Sequence, residues 1–274
     1  MSMNIWQSAL TGLVSGFTEL LPLSAESHRA ILRILMGMEG EDPVLSLVYH
    51  IAALGALYIF CRRDIAAVQK ARHLMSVPAR RRRREPNPVD VCTLKHLRTA
   101  VLTVIILRLF TSVFSSITVK PHILAFSTII GGAVVLIPAF VRNGNKDSRN
   151  MTTADTLLMG IGSGLAVIPG FSAVGCALAA GIARGVDRRF ALRFSRFLAM
   201  AGLGVSVVFD FLNVIRQGTA CGVVSILLGG IAAFAGSFTG CRLMKKMIHS
   251  TNCSGLGYYS IGLGLFLFVL FLTV

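Results

Sequence analysis

Six apolar runs of about twenty residues each dominate the chain. Each is long enough to cross the hydrocarbon core of a bilayer as an α-helix. Only 14% of the 274 residues are charged, against about a quarter in soluble domains, so a water-soluble globular fold is excluded. The sequence predicts an all-α polytopic membrane protein with transmembrane helices over 44–61, 97–114, 122–141, 197–214, 223–241 and 258–274.

Two further apolar stretches, 5–36 and 155–183, are interrupted near their middle. Pro22 breaks the first and the pair Pro169-Gly170 breaks the second. Irregular backbone at membrane depth is tolerated where it is buried in protein or lines a cavity. Each stretch is therefore predicted to be a re-entrant pair of half-helices.

Basic loops orient these elements. The chain has 27 Lys and Arg against 12 Asp and Glu, and basic loops mark the cytoplasmic side. Cations concentrate in 62–98, 142–149, 184–196 and 242–246, whereas 39–42 is acidic and 215–222 holds one Arg. The first broken stretch is then predicted to enter from outside and the second from inside. The Arg run at 80–84 is interpreted as a solvated loop near anionic lipid, and no nucleic-acid partner is expected.

The chain repeats itself at an offset of 148 residues. On this diagonal the two broken stretches align without a gap, and six small residues are identical: Gly12/Gly160, Ser15/Ser163, Gly16/Gly164, Ser24/Ser172, Ala25/Ala173 and Gly37/Gly185. Repeats of opposite topology with broken helices indicate a site between the halves. We predict one membrane domain, 1–274, with repeat halves 1–141 and 142–274.

Ionisable residues cluster at the first break. Glu19, Glu26 and His28 lie within ten residues, and such groups at membrane depth are usually functional. Ser24 is expected to cap the half-helix after Pro22. A carboxylate beside an imidazole forms a proton relay or an acid/base pair; alternatively, Glu26 and His28 are solvated capping residues at the outer interface.

The second break offers the Gly170 backbone and the Ser172 hydroxyl but no cation. His50, Arg108 and Asp210 lie inside predicted spans. From sequence alone, each of these three either lines the same cavity or packs against a neighbouring helix.

Both breaks resemble the signatures of the undecaprenyl-diphosphatase family of bacterial envelopes. The first signature, E-G-x-T-E-F-L-P-V-S-S-[ST]-G-H, is matched by Gly16, Thr18, Glu19, Leu21, Pro22, Ser24 and His28. The second, P-G-x-S-R-S-G, is matched by Pro169, Gly170, Ser172 and Gly175. The resemblance implies a multi-pass protein of the bacterial plasma membrane. It also implies hydrolysis of undecaprenyl diphosphate to the monophosphate and phosphate, in recycling of the cell-wall lipid carrier.

The chain departs from the family pattern at three expected site positions. Ser15 replaces a Glu, Ala25 replaces the proposed nucleophilic Ser, and Ala173 replaces an Arg. The resemblance then implies Glu19 and His28 as an acid/base pair, with Ser24 as substitute nucleophile or as an anion ligand beside a water activated by His28. It places Glu26, Ser27, Gly170 and Ser172 around the substrate. Glu19 and Glu26 are candidate ligands for Mg²⁺ or Ca²⁺ in place of the lost Arg; no organic cofactor is expected.

These losses leave alternatives open. A catalytically degenerate relative would bind or flip a polyprenyl phosphate across the membrane, a natural use of inverted repeats. A cation-coupled transporter using Glu19 and Glu26 is a third hypothesis. The expected partners are a polyprenyl phosphate or diphosphate and membrane lipids, with a homodimer as a candidate assembly.

Overall fold

The computed structural model describes residues 3–38, 40–82, 84–112, 121–249 and 254–273, and it is helical throughout, with no strand in these ranges. Within them the chain forms ten α-helices: α1 Ile5–Glu19, α2 Ala25–Leu35, α3 Pro43–Ser76, α4 Pro88–Ser112, α5 Pro121–Phe140, α6 Thr153–Gly164, α7 Ala173–Ala183, α8 Arg188–Gln217, α9 Val223–His249 and α10 Ser254–Thr273.

Five of these helices, α3, α5, α8, α9 and α10, are long and apolar enough to cross a membrane. They match five of the six predicted spans, and the prediction of an all-α polytopic membrane protein is confirmed. The sixth, 97–114, falls on α4, where Lys95, Arg98 and Arg108 raise the polarity. Residues 113 and 114 of this predicted span lie outside the described residues. The same holds for Glu39, Arg83 and Val274, which belong to other predicted segments.

Both broken stretches are pairs of short helices joined at the predicted break. The stretch 5–36 forms α1 and α2, and 155–183 forms α6 and α7. Ser24 caps α2 by accepting from the Ser27 amide, and Ser172 caps α7 by accepting from the Gly175 amide. Because a serine hydroxyl satisfies an amide that the helix leaves unpaired, the same device restarts the chain after each break.

The helices fall into two series of five with matched lengths. α2 and α7 each have 11 residues, α5 and α10 each have 20, and α3 and α8 have 34 and 30. Contacts cross between the series: α1 packs on α9, α6 packs on α4, α3 packs on α8 and α5 packs on α10. This crossed pairing is the arrangement expected of two interlocked repeats.

Glycines allow α1 to approach α9 closely. A Cβ at Gly12 would overlap the Gly229 carbonyl oxygen, and one at Gly16 would overlap that of Ala233. Small residues of this kind drive helix association in membranes, where backbones gain contact without a hydrophobic driving force. The packing fixes α1, and with it the first tip.

The two tips are defined as residues 20–24 and 168–172. The first tip lies in the largest apolar cluster among the described residues, where Leu20, Leu21 and Leu23 join Val174 of α7 and Phe194 of α8. The second tip directly precedes α7, whose first residues belong to the same cluster. Packed side chains therefore surround the first tip and the start of α7.

Candidate active site

Hydrogen bonds tie the two tips to each other. The Gly170 amide donates to Ser24 Oγ at 3.1 Å, and Ser172 Oγ donates to the Leu21 carbonyl at 2.9 Å. Ser24 Oγ also accepts from the Ser27 amide and, at 2.9 Å, from the Ser27 hydroxyl. In this structure Ser24, predicted as a nucleophile, is a buried cap and tip-to-tip acceptor; its catalytic role stays a prediction.

Gly170 is required by the backbone at the second tip. Its φ is +105°, and a Cβ there would lie 2.6 Å from the Thr128 amide nitrogen. Both features disfavour a side chain, since this region of φ is costly for L-residues with one. Gly170 thus lets the second tip pack closely on α5; it does not line the cavity described next, and its predicted role in substrate binding stays a prediction.

A cavity of about 420 Å³ lies beside the joined tips. Of the predicted site residues, Glu19, Glu26 and Ser172 line it. Ala25 and Ala173 line it too, so two of the three departures from the family signatures lie in the cavity itself. The third, Ser15, is buried and accepts a 3.1 Å hydrogen bond from Arg29.

Arginines from two helices supply the cavity with cations. Arg29 of α2 is buried and donates to Glu26 at 2.6 Å, and Arg108 of α4 donates to Ser206 at 2.6 Å. Glu19 lines the same cavity as both guanidinium groups. Sequence reasoning left Arg108 undecided and missed Arg29, although Arg29 lies three residues after Glu26 and so shares its helical face.

An imidazole–carboxylate pair also lines this cavity. His50 Nδ1 lies 2.5 Å from Asp210 Oδ2, joining α3 to α8, and both residues line the cavity. Asp210 fixes the ring orientation of His50, and among the described residues the Nε2 atom has no hydrogen-bond partner. The arrangement can accept or deliver a proton at Nε2. Sequence alone left both residues undecided.

His28 lies outside this cavity. Its Nε2 is 2.9 Å from the Tyr259 hydroxyl and its Nδ1 is 2.6 Å from the Ser24 carbonyl. The ring lines a second, largely apolar cavity of about 570 Å³ beside α1, α9 and α10. The structure therefore does not bring His28 together with Glu19, its predicted partner. Ser27 is also buried elsewhere, with its hydroxyl 2.6 Å from that of Thr128.

The carboxylates offer little to a divalent cation. No group of three or more His, Cys, Asp or Glu side chains gathers around a common point in the described ranges. Glu26 is held by Arg29 at 2.6 Å and by Arg33 at 2.9 Å. Two guanidinium groups already neutralise this carboxylate, and metal binding by Glu19 and Glu26 stays a prediction.

Asp42, in the loop before α3, joins two loops through hydrogen bonds. Its carboxylate accepts from the Val44 amide at 2.9 Å and from the Ala220 amide at 2.8 Å, across to the loop before α9. Burial raises the pKa of Asp42, but the amide hydrogen bonds and one from Thr219 outweigh it, so the pKa lies below its ordinary value.

Comparison with known proteins shows the family of the chain. A family model described as bacitracin resistance protein BacA matches residues 8–266. A protein of Carboxydothermus hydrogenoformans is 24% identical over 271 residues, covering 98% of each chain. Relatives from Alkaliphilus metalliredigens and Methanobrevibacter smithii are 26% and 27% identical, covering 96% and 97% of this chain and 97% and 98% of their own. All three are named undecaprenyl-diphosphatase. With the family model matching nearly its whole length, this chain belongs to the bacitracin resistance protein BacA family.

Proposed function

We propose that the chain hydrolyses undecaprenyl diphosphate to undecaprenyl phosphate and inorganic phosphate in the cavity beside the two tips. The observation that carries this proposal is the gathering of Glu19, Arg108 and the His50–Asp210 pair around one cavity. Family membership supplies the substrate class. The signature positions in this cavity agree with it.

The cavity arginines can replace the cation that is missing where Ala173 stands in place of the family's Arg. A diphosphate carries two or three negative charges, and phosphoryl transfer is catalysed mainly by positioned cations. Arg108 enters from α4 and lies over Gly202, where a Cβ would lie 2.9 Å from its Nη2. The cation that family members place on the second tip is supplied here by a neighbouring helix. Arg216 adds charge at the rim.

The His50–Asp210 pair suits activation of water. In the proposed step, water attacks the terminal phosphorus, its proton passes to His50 Nε2, and the bond to the bridging oxygen breaks. Asp210 stabilises the imidazolium that forms. Glu19 orients Arg108 and Arg29 toward the phosphoryl oxygens. This assigns to His50 the role that the sequence suggested for His28.

The apolar cavity fits the isoprenyl chain. Leu23 lines both cavities, while Leu13, Phe17 and Leu256 line only the apolar one. A lipid with its diphosphate beside Glu19 can therefore pass its first isoprene units over Leu23. His28, at the wall of this cavity, would then contact the lipid rather than the phosphoryl group.

The test is phosphate release from undecaprenyl and farnesyl diphosphates by the purified protein, with EDTA, Mg²⁺ or Ca²⁺ added in turn. His50→Gln is expected to lower the rate about 100-fold, and the matched variant His28→Gln to lower it much less. A larger loss from His28→Gln would return the proton-transfer role to His28. Absence of phosphate release by the folded wild-type protein would sink the hydrolase proposal and favour the binding or flipping alternative.

A further inference from the structure

A second polar cavity, of about 440 Å³, lies at the opposite end of α8. It is lined by the middle of α3, by the first three turns of α8 and by Lys245 of α9. The cavity beside the tips, which loop charge places on the outer side and which we call the outer cavity, uses α8 residues Val205 to Arg216, whereas this one uses Arg189 to Arg196. Arg196 and Val205, the nearest of these residues, are roughly 13 Å apart along the helix axis at 1.5 Å per residue. The two cavities are thus separate, and loop charge places this one on the cytoplasmic side.

Cations dominate this basic pocket, as we name it. Six of its lining residues are basic and one is acidic: Arg62, Arg63, Arg189, Arg193, Arg196 and Lys245, against Asp64. Asp64 pairs with Arg193 at 3.0 Å. In the described ranges the other five cations have no ion-pair partner. Positive-inside bias explains cations on a surface, but not their convergence on one cavity.

Arg196 distinguishes the pocket from a solvated loop. The residue is only 8% exposed, and its guanidinium carbon lies 5.0 Å from the centre of the Phe60 ring. Its Nη2 is buried, with no hydrogen-bond partner among the described residues. A buried charged donor without an acceptor is costly. The pocket therefore has a donor prepared for an anion with strong acceptor oxygens.

We propose that the basic pocket binds a phosphate group on the cytoplasmic face. A phosphate presents several acceptor oxygens to a guanidinium, and arginine recognises it through paired hydrogen bonds. Phe60 and Leu192 give the pocket an apolar side. The group is carried either by a lipid, as a phosphomonoester headgroup in the inner leaflet, or by soluble phosphate or diphosphate. This proposal does not depend on hydrolysis in the outer cavity.

Binding is to be measured on the full-length protein in detergent micelles, with three probes. These are a fluorescent short-chain phosphatidic acid, the matching phosphatidylcholine, and inorganic phosphate as competitor. Arg196→Gln is expected to weaken phosphatidic acid binding at least tenfold. Arg242→Gln is the matched control, because Arg242 also lies over a phenylalanine, Phe238, at 4.5 Å, but outside the pocket. It is expected to change binding less than twofold.

Two further variants keep the outcome interpretable. Arg108→Gln removes a cation of the outer cavity and is expected to leave the Arg196-dependent binding in place. Arg196→Lys retains the charge and is expected to recover part of the affinity. Competition by inorganic phosphate would identify the phosphate group itself as sufficient, and resistance to it would identify the lipid headgroup. Equal losses in Arg196→Gln and Arg242→Gln, or absence of binding to the wild type, would overturn the proposal.

Discussion

The two tips have the same backbone construction but different chemistry. At each, a serine caps an 11-residue helix, and that helix is followed by a glycine of positive φ, 60° at Gly37 and 78° at Gly185. α2 carries Glu26, His28, Arg29 and Arg33, whereas the chain has no charged residue between Asp155 and Arg184. Caps and glycines set the geometry in both halves, and only one half carries the charge.

Two helix pairs of the same backbone construction therefore need not carry the same polar groups. The polar residues facing the second tip come from other helices: Arg108 from α4, and Asp210 from α8. An apolar tip provides backbone and shape, and the charged tip with its neighbours provides the electrostatics. Substitutions at paired positions of the two tips, and at the residues around them, test this division of roles.

Glu19→Gln is expected to lower phosphate release from undecaprenyl diphosphate about 1000-fold. The change removes the carboxylate that shares the cavity with Arg29 and Arg108, and oriented charge usually contributes most to such catalysis. Val167 stands at the equivalent position of the second tip, and Val167→Gln is the matched control, expected to change the rate only a few-fold. Comparable losses in both variants would show that the tips share the chemistry.

Arg108→Gln is expected to lower the same rate about 100-fold, since it removes a buried cation from the phosphoryl site. The control is Arg216→Gln at the exposed rim, where solvent screens the charge, with an expected loss below about fivefold. The KM for substrate separates binding from chemistry in both variants. An unchanged rate in Arg108→Gln would remove α4 from the site.

Ala173→Arg places a cation on the second tip and so tests the division between the tips directly. In the Arg108→Gln background it is expected to restore phosphate release about tenfold, because the new guanidinium at position 173 would reach the cavity that Arg108 lines in the wild type. In the wild type it is expected to gain little. Circular dichroism and Tm establish that the variant is folded; a folded double variant without any recovery would argue that Arg108 acts elsewhere.

Gly170→Ala is expected to destabilise the fold by about 2 kcal/mol or more, through positive φ and contact with the Thr128 amide. The residue at the matching position of the first tip is Pro22. Pro22→Ala adds no atoms and is expected to cost under about 1 kcal/mol. Thermal unfolding in detergent measures both, and equal Tm shifts would mean that the tips tolerate side chains alike.

Replacement of Asp42 is expected to have the smallest effect of these changes, on stability as a function of pH. Because the pKa of Asp42 is lowered in the folded state, its contribution to stability is present at neutral pH. That contribution is lost as the pH falls from about 4, the ordinary Asp value, through the folded pKa. The Tm difference between wild type and Asp42→Asn is expected to shrink over this range. A difference that persists unchanged at pH 3 would contradict the assignment.

The sequence predicted the parts of the fold that local rules govern. Proline breaks, serine caps and the 148-residue offset predict both helix pairs from the sequence alone. It predicted the site less well. The direction in which a helical side chain points depends on the rotation of the helix about its axis, and packing along the whole helix sets that rotation. Glu26 and Arg29 are three residues apart and share a face, but His28 is rotated by about 200° from Glu26. The i, i+3 rule alone would have directed attention to Arg29.

Some site residues could not have been found from local patterns at all. His50 and Asp210 are 160 residues apart and meet only because α3 packs on α8. Similarly, Arg108 reaches the cavity because α4 packs against both α6 and α8. Such encounters follow from tertiary packing, and a single sequence carries no signal for them.

The crossed packing of α1 on α9 and of α6 on α4 has a consequence for assembly. During synthesis the first five helices emerge before the partner of α1 exists, so α1 and α2 must wait for α9 before they acquire their final neighbours. Two separately made pieces, 1–144 and 145–274, should for the same reason be recovered together or not at all. In this arrangement each half of the chain packs on helices of the other half, and a single covalent connection joins the two.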